Sequence, residues 1–205
     1  MLYFFMCKAN DLFVLKMHRM EENMKKIGVF LAEGFEEIEG LTVVDILRRA
    51  EVEVVTISIT RKKEVYGSHK IGVLADALCE EVNFQDLDGI VLPGGMPGTV
   101  NLGNHSKVQE VIRAFAEEGR LVAAICAAPS VLGQAGILRG KKAACYPGNE
   151  NKLEGAEVVY EEVAEAGNVI TSRGMGTAIP FGLALTAYLT DQQKAKELAE
   201  AIIYK

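Results

Sequence analysis

The residues best equipped for chemistry in this sequence are a cysteine and a glutamate, each placed where a strand gives way to a helix. Cys126 stands in RLVAAICAAPSVLG (Arg120–Gly133), where an apolar run meets the helix-starting Pro129. A thiol on such a turn sits at a helix amino terminus, where unpaired N–H groups and the positive end of the dipole favour the thiolate. That is the layout of a nucleophile elbow, with cysteine in place of serine and without the glycines of GxSxG. A second reading competes: free cysteine is among the most buried residue types and packs as a small hydrophobe. Position at a strand end favours the nucleophile.

A nucleophilic cysteine needs a proton partner. Ala127 occupies the next position, so the elbow carries no histidine, and the chain's histidines are His18, His69 and His105. The sequence EGFEEIEG supplies carboxylates instead. Glu36 and Glu37 read as acids facing solvent at a helix amino terminus, which they suit electrostatically. Glu39, between Ile38 and Gly40, reads as a buried acid that stays protonated, donates to the thiolate and later carries a proton. PGGMPGT frees backbone N–H groups at Gly94 and Gly95, which with the N–H of Ala127 form a candidate oxyanion hole. In TSRGMGT, Arg173 at another strand end either binds an anion or pairs with an acid.

The elements that must position these groups follow from periodicity. KKIGVFL (Lys25–Leu31), Glu53–Ile59, Asp88–Gly95 and Arg120–Ile125 are apolar runs of strand length; Glu36–Ala50 repeats with helical period through Ile38, Leu41, Val44 and Leu47. Lys63–Asp76 reads as a hairpin around Gly67, Ser106–Gly119 as a helix, PSVLGQAG as a short helix and Lys141–Tyr146 as a strand. Glu157–Ser172 reads as two strands turning at Gly167, followed by helices over Thr177–Leu189 and Gln192–Ile203. Repeated β-α-β with continuous apolar strands predicts an α/β fold, a mainly parallel sheet with helices on both faces. In such sheets chemistry collects at the carboxyl ends of strands, where AEGFEEIE, PGGMPGT and CAAP all fall.

Composition narrows the function. A net charge of −6 with scattered Lys and Arg argues against specific nucleic-acid binding. The four cysteines lie far apart with no C-x-x-C pair, so no metal site is expected, and free thiols without a secretion signal predict a cytoplasmic protein. GxGxxG and Walker patterns are absent, and no cofactor is called for. Before Met24 neither apolar run reaches the about 18 residues of a membrane span. Residues 1–23 are expected to be a loose extension or a misassigned start, and residues 24–205 one domain.

Taken together, AEGFEEIE, VLPGGMPG, AAICAAP, ACYPG and TSRGMGT resemble the ThiJ/PfpI superfamily, more narrowly its bacterial YajL-type branch, which includes the Parkinson-associated protein deglycase. The resemblance runs from about Lys25 to the last helix. It implies a flavodoxin-like doubly wound sandwich, a homodimer, an elbow cysteine at Cys126, a protonated Glu39, backbone amides from Gly95 and Ala127, and a Ser68–His69 pair that approaches the partner subunit's site. Protease-like members carry histidine directly after the cysteine, so Ala127 argues against a peptidase. Where some relatives have histidine before the nearby proline, this chain has Tyr146, which leaves Glu39 as the proton carrier.

The resulting expectation is a cofactor-free enzyme that acts on reactive α-dicarbonyls, as small molecules or as glycated protein or nucleotide, in the manner of a glutathione-independent glyoxalase or deglycase. The alternative is a redox-sensing stress protein or chaperone that works by oxidation of the same cysteine. A third reading is a scaffold with no chemistry of its own.

Overall fold

A computed structural model describes residues 24–204. Seven strands form the main sheet: β1 (Lys26–Leu31), β2 (Glu53–Ser58), β5 (Ala77–Leu78), β6 (Gly89–Leu92), β7 (Leu121–Ile125), β10 (Val163–Ala166) and β11 (Val169–Ser172). Their order is β10-β11-β7-β6-β1-β2-β5, and every neighbouring pair is parallel except β10 with β11. Two small pairs lie apart: β3 (Glu64–Tyr66) with β4 (Gly72–Leu74), the expected hairpin around Gly67, and β8 (Lys142–Ala143) with β9 (Glu157–Val158). The strand expected over Lys141–Tyr146 is therefore short: only Lys142 and Ala143 pair, and the Ala144 N–H donates instead to Thr171 Oγ1 at 2.9 Å.

Helices cover both faces. On one side lie α1 (Glu37–Arg49), α5 (Ala178–Leu189) and α6 (Gln192–Ala201); on the other lie α2 (Gly98–Asn104), α3 (Ser106–Glu117) and α4 (Pro129–Gln134). The side chains of β1 alternate between these layers: Ile27, Val29 and Leu31 pack with Val43, Leu47 and Phe181, whereas Phe30 packs with Leu92, Ile112 and Phe115. Strands buried on both faces must be apolar throughout, which is why they are visible in the sequence as unbroken runs. At α5, a side chain on Gly182 would come within 2.8 Å of Ile46 Cδ1, so glycine permits the close crossing with α1.

The topology also fixes where a site can form. From β1 the chain moves outward to β2 and β5, then returns past β1 to β6, β7 and β11. Strand order reverses between β1 and β6, and a crevice opens outside their carboxyl ends. The sequence reading has no helix at α2: its Gly98 and Thr99 belong to the glycine-rich PGGMPGT, and packing against α3 and α4 overrides that weak local preference. The tail expected over residues 1–23 lies outside the described residues.

Candidate active site

Three strand ends converge at the crevice. Cys126 follows β7 directly and adopts φ of +65°, a left-handed conformation that costs a non-glycine residue energy and persists only where its surroundings enforce it. The enforcement is visible. The Cys126 N–H donates to Ser172 O at 3.0 Å, and the Tyr146 N–H donates to Cys126 O at 2.7 Å. A cysteine that merely filled core would have no need of this backbone, and it is half-buried while Cys79 and Cys145 are buried. The strand-to-helix turn at Cys126 thus has the geometry of an elbow.

Glu39 arrives from the first turn of α1 and is 1% exposed. Its Oε2 accepts the Gly94 N–H at 2.8 Å, and its Oε1 lies buried, without a well-aligned partner, beside the Cys126 thiol. Burial is the main cause that pushes its carboxyl up to about 7; hydrogen bonding with Cys126 and Gly94 works against that, and the charge of Glu36 adds to it. A carboxyl with this pKa can hold or release a proton near neutrality.

The thiol departs from expectation. Burial, then the adjacent Glu39, push Cys126 up to about 12, although the N–H groups of Ala127 and Gly95 pull the other way. A six-residue α4 offers too little dipole to overcome desolvation and a neighbouring carboxylate. The two groups behave as a pair with one proton in play near pH 7. Losing it leaves a carboxylate beside a thiol; passing the thiol's proton to that carboxylate removes the repulsion and leaves the thiolate with the donors at Gly95, Ala127 and Glu39.

The glycine turn divides its labour. Gly95 has φ of +92° and turns its N–H toward the sulfur, as does Ala127. The Gly94 N–H, expected in the oxyanion hole, is spent on Glu39 instead, so Gly94 positions the acid. Gly94 is glycine for a steric reason too: a Cβ there would lie 2.7 Å from Cys126 Cβ and 2.8 Å from Glu39 Oε2.

Glu37 also differs from expectation. It is 3% exposed, where solvent exposure was predicted, because the β3–β4 turn folds over it: its Oε1 accepts the His69 N–H at 2.8 Å and its Oε2 lies 3.0 Å from His69 Nδ1. Burial raises its pKa, but hydrogen bonds from the His69 side chain and from backbone N–H groups win and hold it at about 2. Ser68 donates to Glu36 Oε2 at 3.0 Å, so Glu36 is tied down as well. His69 accordingly stands behind Glu36 and Glu37 rather than against Cys126, with its side chain 68% exposed. Ligand atoms of Glu36, Glu37 and His69 lie within 4.8 Å of one another, but hydrogen bonds within the cluster account for that approach.

Arg173 follows β11 directly and is half-buried, its guanidinium 5.7 Å from the Tyr160 ring centroid and its Nε buried without a partner. Among the described residues no carboxylate forms an ion pair with it. Tyr146 completes the surround: a Cβ at Gly174 would lie 3.3 Å from the Tyr146 ring and 3.9 Å from Cys126 Sγ, so the ring and Gly174 flank the sulfur. The role of Tyr146 in holding the elbow carbonyl had no sequence signal, because a backbone contact leaves none.

A model of the DJ-1/PfpI family matches residues 25–188. The chain belongs to the DJ-1/PfpI family. Its relatives include the DJ-1 homolog A of Arabidopsis thaliana, 39% identical over 89% of this chain and 47% of that protein. The dj-1beta of Drosophila melanogaster is 36% identical over 85% of this chain and 95% of that one, and the Parkinson disease protein 7 homolog of Danio rerio is 36% identical over 88% and 98%. The chain thus spans under half the length of the plant homolog and nearly the whole of the animal ones. Among solved structures, Drosophila DJ-1beta superposes with a TM-score of 0.85 at 35% identity, over 89% of this chain and 99% of that one. Oxidized Toxoplasma gondii DJ-1 gives 0.84 at 34%, over 88% and 98%. The DJ-1/PfpI domain here is flavodoxin-like, as these neighbours are, and no helix among the described residues is long and apolar enough to cross a membrane.

Proposed function

We propose that this protein converts α-dicarbonyls such as methylglyoxal to hydroxy acids, with Cys126 as nucleophile and Glu39 as proton carrier. The observation that carries the reading is the forced left-handed backbone of Cys126 directly beside a buried carboxyl with a pKa of about 7. The sulfur adds to the aldehyde carbon, and the oxygen of the resulting hemithioacetal meets the N–H groups of Gly95 and Ala127. The thiol's proton passes through Glu39 to that oxygen; Glu39, again a carboxylate, takes the proton from the same carbon and returns it to the neighbouring carbon, while the hydroxyl proton moves to the neighbouring oxygen. The aldehyde carbon is oxidised to a thioester as the ketone carbon is reduced to an alcohol, and water releases the hydroxy acid and the thiol. The early adduct of a dicarbonyl on a protein or nucleotide presents the same carbon to the sulfur. Purified protein given methylglyoxal without glutathione is expected to form lactate, and Cys126→Ala to fall to the uncatalysed rate. Equal rates for the two would sink the enzymatic reading.

The same thiol supports a second reading as a redox sensor. Cys126 is half-exposed while Cys79 and Cys145 are buried, so an oxidant reaches it first, and an oxidized form of the Toxoplasma relative is known. Mild peroxide followed by peptide mass spectrometry is expected to find the first sulfinate on Cys126. Earlier oxidation of Cys79 or Cys145 would end this reading.

The functional unit is proposed to be a homodimer. Ile38 and Leu41 on α1, Ile179 on α5, and Ile71 and Leu74 at the hairpin are large apolar side chains left 37–75% exposed, and Leu41 and Ile179 line one groove. The hairpin that carries His69 lies beside these residues, which would bring His69 toward a partner's site. Sedimentation equilibrium should give twice the chain mass, and Leu41→Glu a shift to monomer.

A further inference from the structure

We propose that the cleft beside the elbow is a subsite for an anionic tail on the dicarbonyl substrate, a carboxylate or phosphate a few bonds from the aldehyde. The cleft has a volume of about 190 Å³ and begins at Ala127, whose N–H faces the reacting sulfur. A water molecule takes about 30 Å³ of liquid, so a tail of several heavy atoms fits. Its walls are Thr99 of α2, Ser130 and Gln134 of α4, and Asn149 and Lys152 from the turn before β9. Among the described residues that line it none is acidic, although the chain as a whole is negative and three glutamates crowd the start of α1.

The lining is rich in donors not fully used. Lys152 Nζ gives one hydrogen bond, to Asn149 Oδ1 at 2.9 Å, and an ammonium has three to give. Gln134 gives one amide N–H to Gly103 O at 3.2 Å and keeps its second. Thr99 is 6% exposed and its hydroxyl is buried, so it shapes the wall and is not counted among the donors. Ser130 is different: its hydroxyl is committed to Ala127 O at 2.6 Å, which holds the first turn of the elbow helix in place beside the tail. Gly133 brings the Lys152 backbone onto α4, since any side chain there would collide with the Lys152 carbonyl. The Lys152 cation and the Gln134 and Asn149 amides thus line the same cleft as Ala127, the residue next to the nucleophile.

This inference rests on the dicarbonyl reading for the chemistry but not for the binding, and the test separates them. The turnover arm compares γ,δ-dioxovalerate with its neutral methyl ester. Wild type is expected to favour the acid in kcat/KM by roughly tenfold, about 1.4 kcal/mol; Lys152→Met should abolish that preference by slowing the acid alone, and Lys152→Arg should keep it. Thr99→Val should weaken both substrates less than Lys152→Met weakens the acid. The binding arm titrates Cys126→Ala protein with levulinate and with acetonyl phosphate by calorimetry, and the tighter of the two identifies the anion. An acid-to-ester ratio that is the same in wild type and Lys152→Met overturns the subsite, as does an absence of Lys152-dependent binding of both probes. Lys152-dependent binding by a protein that turns over neither dicarbonyl upholds the subsite and sinks the catalytic reading.

Discussion

Glu39→Gln is expected to lower kcat/KM for methylglyoxal by ~10²–10⁴-fold, the usual worth of a positioned proton carrier, while making the fold more stable in alkaline solution. The two effects have one cause. In the unfolded chain the carboxyl ionises near 4.5, but in the fold burial holds it up to about 7. The folded state therefore binds the proton more tightly, and its stability falls as pH rises from 4.5 through 7. Each pKa unit corresponds to 1.36 kcal/mol, so the full penalty above neutrality is about 3 kcal/mol. Glutamine keeps the acceptor for the Gly94 N–H and removes the ionisation. His69 contributes a slope of the same sign, because its partner Glu37 raises its pKa and the stabilisation is lost as pH rises beyond it. Urea unfolding of wild type and Glu39→Gln at about pH 5 and about pH 8.5 separates the two: the His69 slope persists in both proteins, and the Glu39 share appears only in wild type. Identical pH slopes would mean that Glu39 is not the buried acid described here.

Gly94→Ala should be nearly as damaging to activity, through geometry instead of charge. The new methyl would lie 2.7 Å from Cys126 Cβ, 2.8 Å from Glu39 Oε2 and 3.1 Å from the Ala127 nitrogen. Two of these three neighbours are fixed by backbone, so the nucleophile, the acid or the amide must shift by several tenths of an ångström. Misplacement on the scale of 1 Å can cost ~10²-fold in rate, and a loss of that order is expected in kcat/KM. The fold should survive, since overpacking of this kind costs about 1–3 kcal/mol. Steady-state kinetics and urea unfolding of the same preparation check both halves, and unchanged kcat/KM would show that the three groups need not be held in register.

Much of the machinery was legible before any fold was known. Apolar runs buried on both faces announce β1, β6 and β7, and the period of Ile38, Leu41, Val44 and Leu47 announces α1. Cys126 after such a run, glycines after another and a glutamate in the first helical turn are local patterns that can be read without knowing what they touch. Features held by weaker local preference were not visible: α2 opens on glycine and threonine and exists because its neighbours bury it, β5 spans two residues, and the strand read from Glu157 is broken into β9 and β10.

The sequence by itself determined which chemistry is available: a lone elbow cysteine without a following histidine, a nearby carboxylate and flexible amides, on a parallel sheet that gathers them at one edge. Tertiary structure alone decided the protonation and the division of roles. Whether Glu37 faces solvent depends on a hairpin some thirty residues away that folds over it. That Gly94 serves Glu39 while Gly95 and Ala127 serve the sulfur depends on which way each N–H points, and the high pKa of Cys126 depends on how much water its neighbours exclude. Residue types and spacing carry donors, acceptors and nucleophiles, whereas desolvation and hydrogen-bond direction arise only when distant strands are brought together.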